Sequence, residues 1–320
     1  MADPNLSEIV STTLRKRNKK FADNVSKGNA LLSRLSSAGK ARPVDGGRTI
    51  VEELEYAENS TFKYYSGYES LDISAAVVFS AAEFNWKQGA VVVSASGLET
   101  EVQNTGVEST IRLLESRIRN AERTMSNNVS TGIYSDGTGT GGKQITGLQA
   151  QVADAPATGT VGGINRANFS FWRNSNYDFS DASVTASKST MAAAMQTLWL
   201  DCARGNDKPD LITSGKTYYQ YYWEGLTDLQ RFTSPKEGEL GFPSLKFDTA
   251  DVYYDGDSGL GATRMYMLNT EYIYWRPHVR RNMVPLDRRE SVNQDAILIP
   301  IVFAGNLTMS NAARQGVIVP

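Results

Sequence analysis

The strongest pattern along the chain lies between residues 106 and 134. Val107, Ile111, Leu114, Ile118, Ala121, Met125, Val129 and Ile133 recur at steps of three and four. That spacing puts them in one stripe on one long helix. Gly106 precedes it and Ser135-Asp136-Gly137 ends it. At about 1.5 Å per residue the helix is roughly 40 Å long, nearly the width of a compact protein of this size. A helix with one narrow stripe is a spine for other parts to pack along.

Upstream the pattern is strand-like. From Arg48 to Ser96, β-branched and aromatic residues dominate, in Thr49-Ile50-Val51, Thr61-Phe62-Lys63-Tyr64-Tyr65, Val77-Val78-Phe79 and Val91-Val92-Val93. Ser66-Gly67 is a turn or bulge signal. This stretch has few positions that look buried, which predicts a long projecting hairpin. Such a hairpin is not stable alone and needs packing from elsewhere. Before it, Leu6, Ile9, Val10, Leu14, Phe21, Leu31, Leu32 and Leu35 are sparse anchors for one or two helices over residues 5–36. Pro43, Gly46 and Gly47 mark residues 39–47 as a linker.

Downstream, Gly- and Thr-rich residues 135–163 read as loop. Met191, Ala194, Met195, Leu198 and Cys202 share one face of a helix over residues 187–204. Residues 209–213 read as a short buried strand. Tyr218, Tyr219, Tyr221, Tyr222 and Trp223 crowd a third helix over 217–225. Strands are predicted at 251–254 and 264–275, with Asp255 to Gly259 as the hairpin turn between them. Further strands are predicted at 296–303, 306–309 and 316–319. There is no internal repeat. The class is α+β.

Composition removes many functions. Among 320 residues there are one His and one Cys. Cys202 alone can form no internal disulfide, and the soft ligands of a zinc site are missing. A Cys–His pair would have to be Cys202 with His278, and a Ser-His-Asp triad would have to use His278. Carboxylate chemistry, as in glycoside hydrolases, stays open, with a Glu from the 52–58 cluster as its candidate. The first 30 residues hold no apolar run of signal-peptide length. Residues 73–79 and 296–305, the longest apolar stretches, are too short to cross a bilayer. The expectation is a soluble protein of a reducing compartment.

The net charge of −2 hides a split. Residues 1–48 hold ten Lys or Arg and four acids, net +6; residues 49–101 hold two Lys and nine acids, net −7. Arg15, Arg17, Lys19 and Lys20 lead the basic part; Glu52, Glu53, Glu55 and Glu58 lead the acidic part. Such a split invites complementary packing within one chain or between copies. A third group, Arg276, Arg280, Arg281, Arg288 and Arg289, is rich in Arg, which suits interface ion pairs and phosphate contacts.

Other motifs carry less. Gly137 to Lys143 fits GxxxxGK, but Gln144 stands where Ser or Thr should hold Mg²⁺, and the motif follows a helix rather than a strand. It reads as a surface loop. Asp255-Gly256-Asp257 lacks the acid spacing of a calcium loop. Cationic neighbours disfavour proton uptake by His278, so a structural or surface role is expected. The tyrosine-rich helix is expected to fill a core on one side.

Several segments fall in a familiar order. Gly46-Gly47-Arg48-Thr49-Ile50 leads into Tyr64-Tyr65-Ser66-Gly67-Tyr68-Glu69 and the return Ala82-Glu83-Phe84-Asn85-Trp86-Lys87-Gln88. Ile133-Tyr134-Ser135-Asp136-Gly137-Thr138-Gly139 closes the spine. Ile145-Thr146-Gly147-Leu148, Val161-Gly162-Gly163-Ile164-Asn165-Arg166 and Phe171-Trp172-Arg173-Asn174 follow. From about residue 46 onward this order resembles the major capsid proteins of tailed bacteriophages, of the Hong Kong 97-like fold.

The resemblance implies a structural protein rather than an enzyme, with no cofactor and no metal. Pentamers and hexamers would build an icosahedral shell around double-stranded DNA, touched non-specifically. The expected partners are further copies, portal and scaffolding proteins and a decoration protein, with no membrane. The expected location is the virion, with the host cytoplasm during assembly. The expected parts are an N-terminal arm (1–47), an extended loop with flanking strands (48–96), a peripheral domain with the spine (97–179), an axial domain (180–285) and C-terminal strands returning to the peripheral domain (286–320). Some relatives lose an N-terminal scaffolding segment; the short arm here is expected to stay. One relative joins subunits by Lys–Asn bonds, and Lys63 and Lys87 are the lysines of the projection. The candidate subunit contacts are Arg15, Arg17, Lys19, Lys20, Glu52, Glu53, Glu55, Glu58, Lys63, Tyr65, Tyr68, Arg276, Arg280 and Arg281. The rival readings are a tail-tube or surface-layer protein that also polymerises, and the carboxylate-dependent glycoside hydrolase.

Overall fold

The computed structural model describes residues 29–99, 107–226, 244–256, 259–287, 289–290 and 294–320. The basic run with Arg15, Arg17, Lys19 and Lys20, the expected helical stretch before residue 29, Asp257 and Arg288 lie outside the described residues.

The chain enters through α1, Ala30–Ser37. Asn29 starts this helix: its Oδ1 accepts from the Leu32 N–H at 2.8 Å. Gly39 ends it at φ 68°. The Lys40 and Gly39 N–H groups then close on the Leu35 and Ser36 carbonyls at 2.8 and 3.1 Å, a closure that uses a left-handed residue. Next come β1 (Ile50–Glu55), β2 (Phe79–Phe84) and β3 (Lys87–Ser96). The spine is α2, Val107–Ile133, within one residue of the expected limits. Short pieces follow: α3 (Gly139–Gly142), α4 (Leu148–Gln151), β4 (Thr160–Val161), β5 (Ile164–Asn165) and β6 (Ser175–Asp178). Then come α5 (Met191–Cys202), β7 (Leu211–Ser214), α6 (Lys216–Gly225), β8 (Ser244–Phe247), β9 (Ala250–Tyr254), β10 (Met265–Leu268) and β11 (Ile273–Pro277). The chain closes with β12 (Val284–Pro285), β13 (Arg289–Glu290), β14 (Ala296–Met309) and β15 (Gly316–Val319).

Two sheets organise these elements. In the first, β14 is central. One edge pairs antiparallel with all of β3, from Ala296 opposite Ser96 to Gly305 opposite Lys87. The other edge pairs in turn with β13, β12 and β11. The second sheet has the order β6-β15-β10-β7-β9-β8. Its inner strands β15, β10, β7 and β9 are covered on both faces, so they read as continuous runs rather than alternating ones. Leu211, Tyr253, Tyr266, Leu268, Val317 and Val319 point to one core. Ile212, Val252, Met265, Met267 and Ile318 point to the other, under α5 and α6.

The first core joins the two sheets. Ala121, Met125, Val129 and Ile133 of the spine meet Val93, Ile301, Phe303, Leu307 and Trp275, with Leu31 and Leu35 of α1 beside them. Trp275 and Phe303 stack nearly parallel, 5.4 Å between ring centroids. A Cβ on Gly147 would fall 2.4 Å from the Ile133 carbonyl oxygen, so only glycine lets the chain turn under the end of the spine. Each large apolar side chain buried here contributes about 1.5–3 kcal/mol. An exposed ion pair contributes about 1 kcal/mol at most, so the cores, not the surface charges, hold the fold.

One buried polar joint ties the layers. Asp255, 4% exposed, accepts from the Ala30 N–H at 3.2 Å and from the Tyr134 hydroxyl at 2.5 Å. Asn29 Nδ2 donates to the Ser130 carbonyl at 3.2 Å. The start of α1, the end of the spine and the end of β9 therefore meet at one carboxylate. Burial, and then the Asp255 charge, hold the Tyr134 hydroxyl well above its ordinary pKa. It remains a donor across the working pH range.

Four expectations change. Residues 61–65 are not a strand, because pairing stops at Glu55 opposite Phe79 and no second strand lies beside them. The predicted strand 264–275 is two strands in different sheets, split where the Asn269 side chain accepts from the Glu271 N–H at 3.0 Å. Asp255 to Gly259 is not a hairpin turn: β9 and β10 flank β7 instead of pairing with each other. The linker docks as an edge, with Ala41 and Val44 bridged in parallel to Trp275 and His278. The last strand joins the second sheet between β6 and β10, and its Val317 and Val319 share the spine's core.

Asp255→Ala leaves two buried donors without an acceptor. Urea unfolding of the unassembled chain should show a loss of about 3 kcal/mol. Tyr134→Phe, which removes one of those donors and leaves Asp255 with the Ala30 N–H, should cost less.

Candidate interaction surface

Beyond Glu55 and Phe79 the hairpin leaves the body. Its root is well packed. Ile50, Leu54, Ala82 and Phe84 pack with Val161, Ile164, Trp172, Met309 and Ala312. The Tyr56 N–H reaches the Val78 carbonyl at 3.0 Å, and its hydroxyl reaches the Val77 carbonyl at 2.9 Å. Tyr56 also lies 5.4 Å from the Phe171 ring.

Past that point the apolar residues lose their cover. Phe62, Tyr64, Tyr65, Tyr68, Leu71, Ile73, Val77 and Phe79 are all exposed. Tyr64 is 91% exposed and Ile73 is 96% exposed. Scattered surface hydrophobics are normal, but a run of large ones on one projection marks a contact surface. The Lys63 ammonium donates to the Ser70 carbonyl, folding the tip back on itself. Lys87, at the start of β3, donates to the Gly142 carbonyl.

The acidic candidates divide. Along β1 the side chains alternate, so Ile50, Glu52 and Leu54 face inward and Val51, Glu53 and Glu55 face outward. Glu53, Glu55 and Glu58 are exposed and free to meet a basic partner surface. Glu52 is not. It is 6% exposed and held by Arg276, with Nε to Oε1 at 2.6 Å and Nη2 to Oε2 at 2.7 Å. The Thr308 hydroxyl donates to the same Oε1 at 2.7 Å. The Arg276 guanidinium also lies 4.7 Å over the Tyr274 ring, which Lys40 and Arg42 approach at 5.4 and 5.5 Å. Glu52 and Arg276 were both expected to face a neighbouring copy; they face each other, because strand alternation turns Glu52 under the root. Both Glu52 oxygens bond to Arg276 rather than facing a second carboxylate, as a glycosidase pair would.

Arg280 and Arg281 stay exposed beside the root, and Arg289 is exposed on β13. His278 is structural: its Nδ1 accepts from the Arg280 N–H at 3.1 Å, and its ring meets Trp86 edge-on at 5.6 Å. Trp86 in turn donates to the Gly47 carbonyl at 2.9 Å. The tyrosine-rich helix puts Tyr218 and Tyr222 in the second core and leaves Trp223 exposed at its edge. Lys143 of the GxxxxGK segment lies on the exposed surface, following the end of the spine, and opens no long helix. Cys202 is buried, and burial pushes its thiol up to about 12, so it is a core residue and not a nucleophile.

Two residues of this surface were not anticipated. Thr308 is the third member of the Glu52 cluster. Arg166, 1% exposed, donates to the Ala150, Gln151 and Trp172 carbonyls and so braces the segment under the root. Burial lowers its pKa to about 10. Thr308 shows in the sequence only as a polar residue within the apolar run of β14, and nothing around Arg166, between Asn165 and Asn168, marks it as buried. Among the described residues no group of His, Cys, Asp or Glu could hold a metal ion, and no helix is long and apolar enough to cross a membrane.

No protein-family model matches this chain, and no curated protein matches it. Solved structures do, over nearly its whole length. The capsid asymmetric unit of cyanophage A-1(L) matches with a TM-score of 0.61 at 15% identity, covering 96% of this chain and 96% of that one. The holo-SrpI encapsulin complex of Synechococcus elongatus matches with a TM-score of 0.59 at 8% identity, covering 98% and 95%. A structure of Mycobacterium phage Bobi matches with a TM-score of 0.58 at 13% identity, covering 100% and 99%. The architecture is the Hong Kong 97-like fold of phage capsid structures.

Brief chymotrypsin digestion of the unassembled chain should cut at Phe62, Tyr64, Tyr65 or Tyr68 well before the buried aromatics Trp172 and Tyr218. Mass spectrometry of the first fragments checks this.

Proposed function

We propose that this chain is a shell subunit: the major capsid protein of a tailed bacteriophage, which assembles as pentamers and hexamers around double-stranded DNA. One observation carries the reading. The chain has a capsid fold and sends a projection with a run of exposed large apolar side chains away from a well-packed body. A monomer gains nothing from that arrangement, whereas a second copy that covers the projection gains roughly 25 cal/mol per Å² of apolar surface removed from water.

In this reading residues 48–96 form the extended loop and its flanking strands, and residues 97–179 form the peripheral domain with the spine. Residues 180–285 form the axial domain around the second sheet, which also takes in β6 and β15, while β11 and β12 join the first sheet. The contact residues become the exposed ones: Glu53, Glu55, Glu58, Lys63, Tyr65, Tyr68, Arg280 and Arg281, with Arg15, Arg17, Lys19 and Lys20 from the basic segment. Opposite charges guide copies together, each pair at modest energy and screened by salt. Portal and scaffolding proteins and non-specifically held DNA are the partners this role implies, with a decoration protein as an optional further one. The role places the chain in the virion, after assembly in the host cytoplasm, and makes it structural rather than catalytic.

A second reading has its own support. The match to an encapsulin complex is nearly as good as the match to the cyanophage capsid. The two readings share closed shells and differ in contents.

Expression of the chain, sizing and negative-stain imaging test the proposal. Closed shells are the expected result. Nucleic acid recovered from infected-cell particles selects the capsid, and protein cargo without nucleic acid selects the second reading. Helical tubes would select a tail-tube or surface-layer role, and a stable monomer at high concentration contradicts all of these. Changing Arg15, Lys16, Arg17, Lys19 and Lys20 together to Ser should impair assembly, and normal shells from that variant would remove the charge-guided contact.

A further inference from the structure

We infer that Glu52, Arg276 and Thr308 form a clamp that sets the angle at which the projection leaves the body, and through it the curvature of the assembly. This rests on the shell-subunit reading.

The root of the projection has two kinds of contact. Ile50 and Leu54 pack inward on either side of Glu52, with Ala82 and Phe84 opposite, against Trp172, Met309 and Ala312. Apolar contact is non-directional. It holds the root down but resists a small rocking motion only weakly. The Glu52–Arg276 pair is different. Two parallel hydrogen bonds of 2.6 and 2.7 Å join a planar carboxylate to a planar guanidinium, which fixes orientation as well as distance. Thr308 adds a third bond at 2.7 Å to the same oxygen.

The placement of these groups turns local geometry into leverage. Glu52 lies on β1, three residues before pairing with β2 ends at Glu55. Arg276 lies on β11 and Thr308 on β14, which are neighbouring strands of the first sheet. The clamp therefore joins the base of the arm to two strands of the body at once. The projection runs on for more than twenty residues before it returns at Phe79. A small tilt at the base becomes a large displacement at Tyr64 and Tyr68, where a neighbouring copy is to be met. Tyr274 braces the clamp from the other side, with the Arg276 guanidinium against its ring.

The test uses the full chain under conditions where the wild type assembles. Glu52→Gln and Arg276→Lys remove the bidentate charged pair. Both should keep the circular dichroism spectrum of the unassembled wild type and still associate, but with a wider spread of particle diameters, open sheets and malformed shells. The double variant Glu52→Leu with Arg276→Met replaces the buried pair by apolar groups, a change such sites often tolerate in stability. Its melting temperature should stay near that of the wild type while its diameters remain irregular. Thr308→Val, which removes one bond, should give an intermediate spread, and it decides the matter if the other variants fail to fold. Shells of wild-type diameter from the folded double variant or from Thr308→Val would overturn the inference and leave the shell reading intact. A wild-type chain that forms no shell would overturn that reading itself.

Discussion

The first sheet, the spine and the root of the projection are all built on one strand, Ala296–Met309. Its pairing with the whole of β3 fixes one edge, and β13, β12 and β11 fix the other. Ile301, Phe303 and Leu307 turn toward the spine helix and form the wall that its stripe packs on. On the same strand Asn306 accepts from the Thr146 N–H at 2.9 Å and donates to the Asn85 carbonyl at 2.9 Å. Thr308 reaches the root of the projection. Disturbing this strand moves the spine, the turn after the spine and the arm together.

That arrangement explains why a chain with ample core still carries so much uncovered apolar surface. Among the described residues the inner strands of the second sheet are covered on both faces, and the first sheet packs on the spine and α1. The projection adds nothing to either core beyond its root. Its exposed residues are large and apolar where a solvated loop would be small and polar. The unmet burial is concentrated in one place, on a lever whose base is tied down by directional bonds. Charge follows the same division. The buried Glu52 and Asp255 are hydrogen-bonded inside the chain, Glu52 to the half-buried Arg276, and the exposed acids of β1 and the exposed arginines after β11 are left for other surfaces.

Much of this was legible in the sequence, for identifiable reasons. The spine was legible because its stripe repeats at the helical period. Helix α5 was legible from its one apolar face and α6 from its crowded aromatics, and strands β7 and β9 because both-face burial leaves continuous runs. The strand predicted at 61–65 failed because β-branched and aromatic residues favour strands only where a partner strand and a packing face exist. The break at Asn269 was hidden because one polar residue in an apolar run does not show which way the chain turns. Asp255 read as part of a surface turn, since its partners Ala30 and Tyr134 lie far away in sequence. Glu52 and Arg276 were both picked out as interface residues. Their charge is visible in the sequence, but the 224 residues between them conceal that each is the other's partner. The resemblance of segment order, in contrast, predicted the fold that the solved structures share.

The central claim is that the projection is completed by another copy of the chain. Amide hydrogen exchange measured on the unassembled chain and on assembled particles tests it most directly. The account predicts fast exchange over residues 57–78 in the free chain, where no strand ladder protects them, and marked slowing on assembly, with the buried strand β14 slow in both states. Equal and fast exchange over residues 57–78 in both states would contradict it.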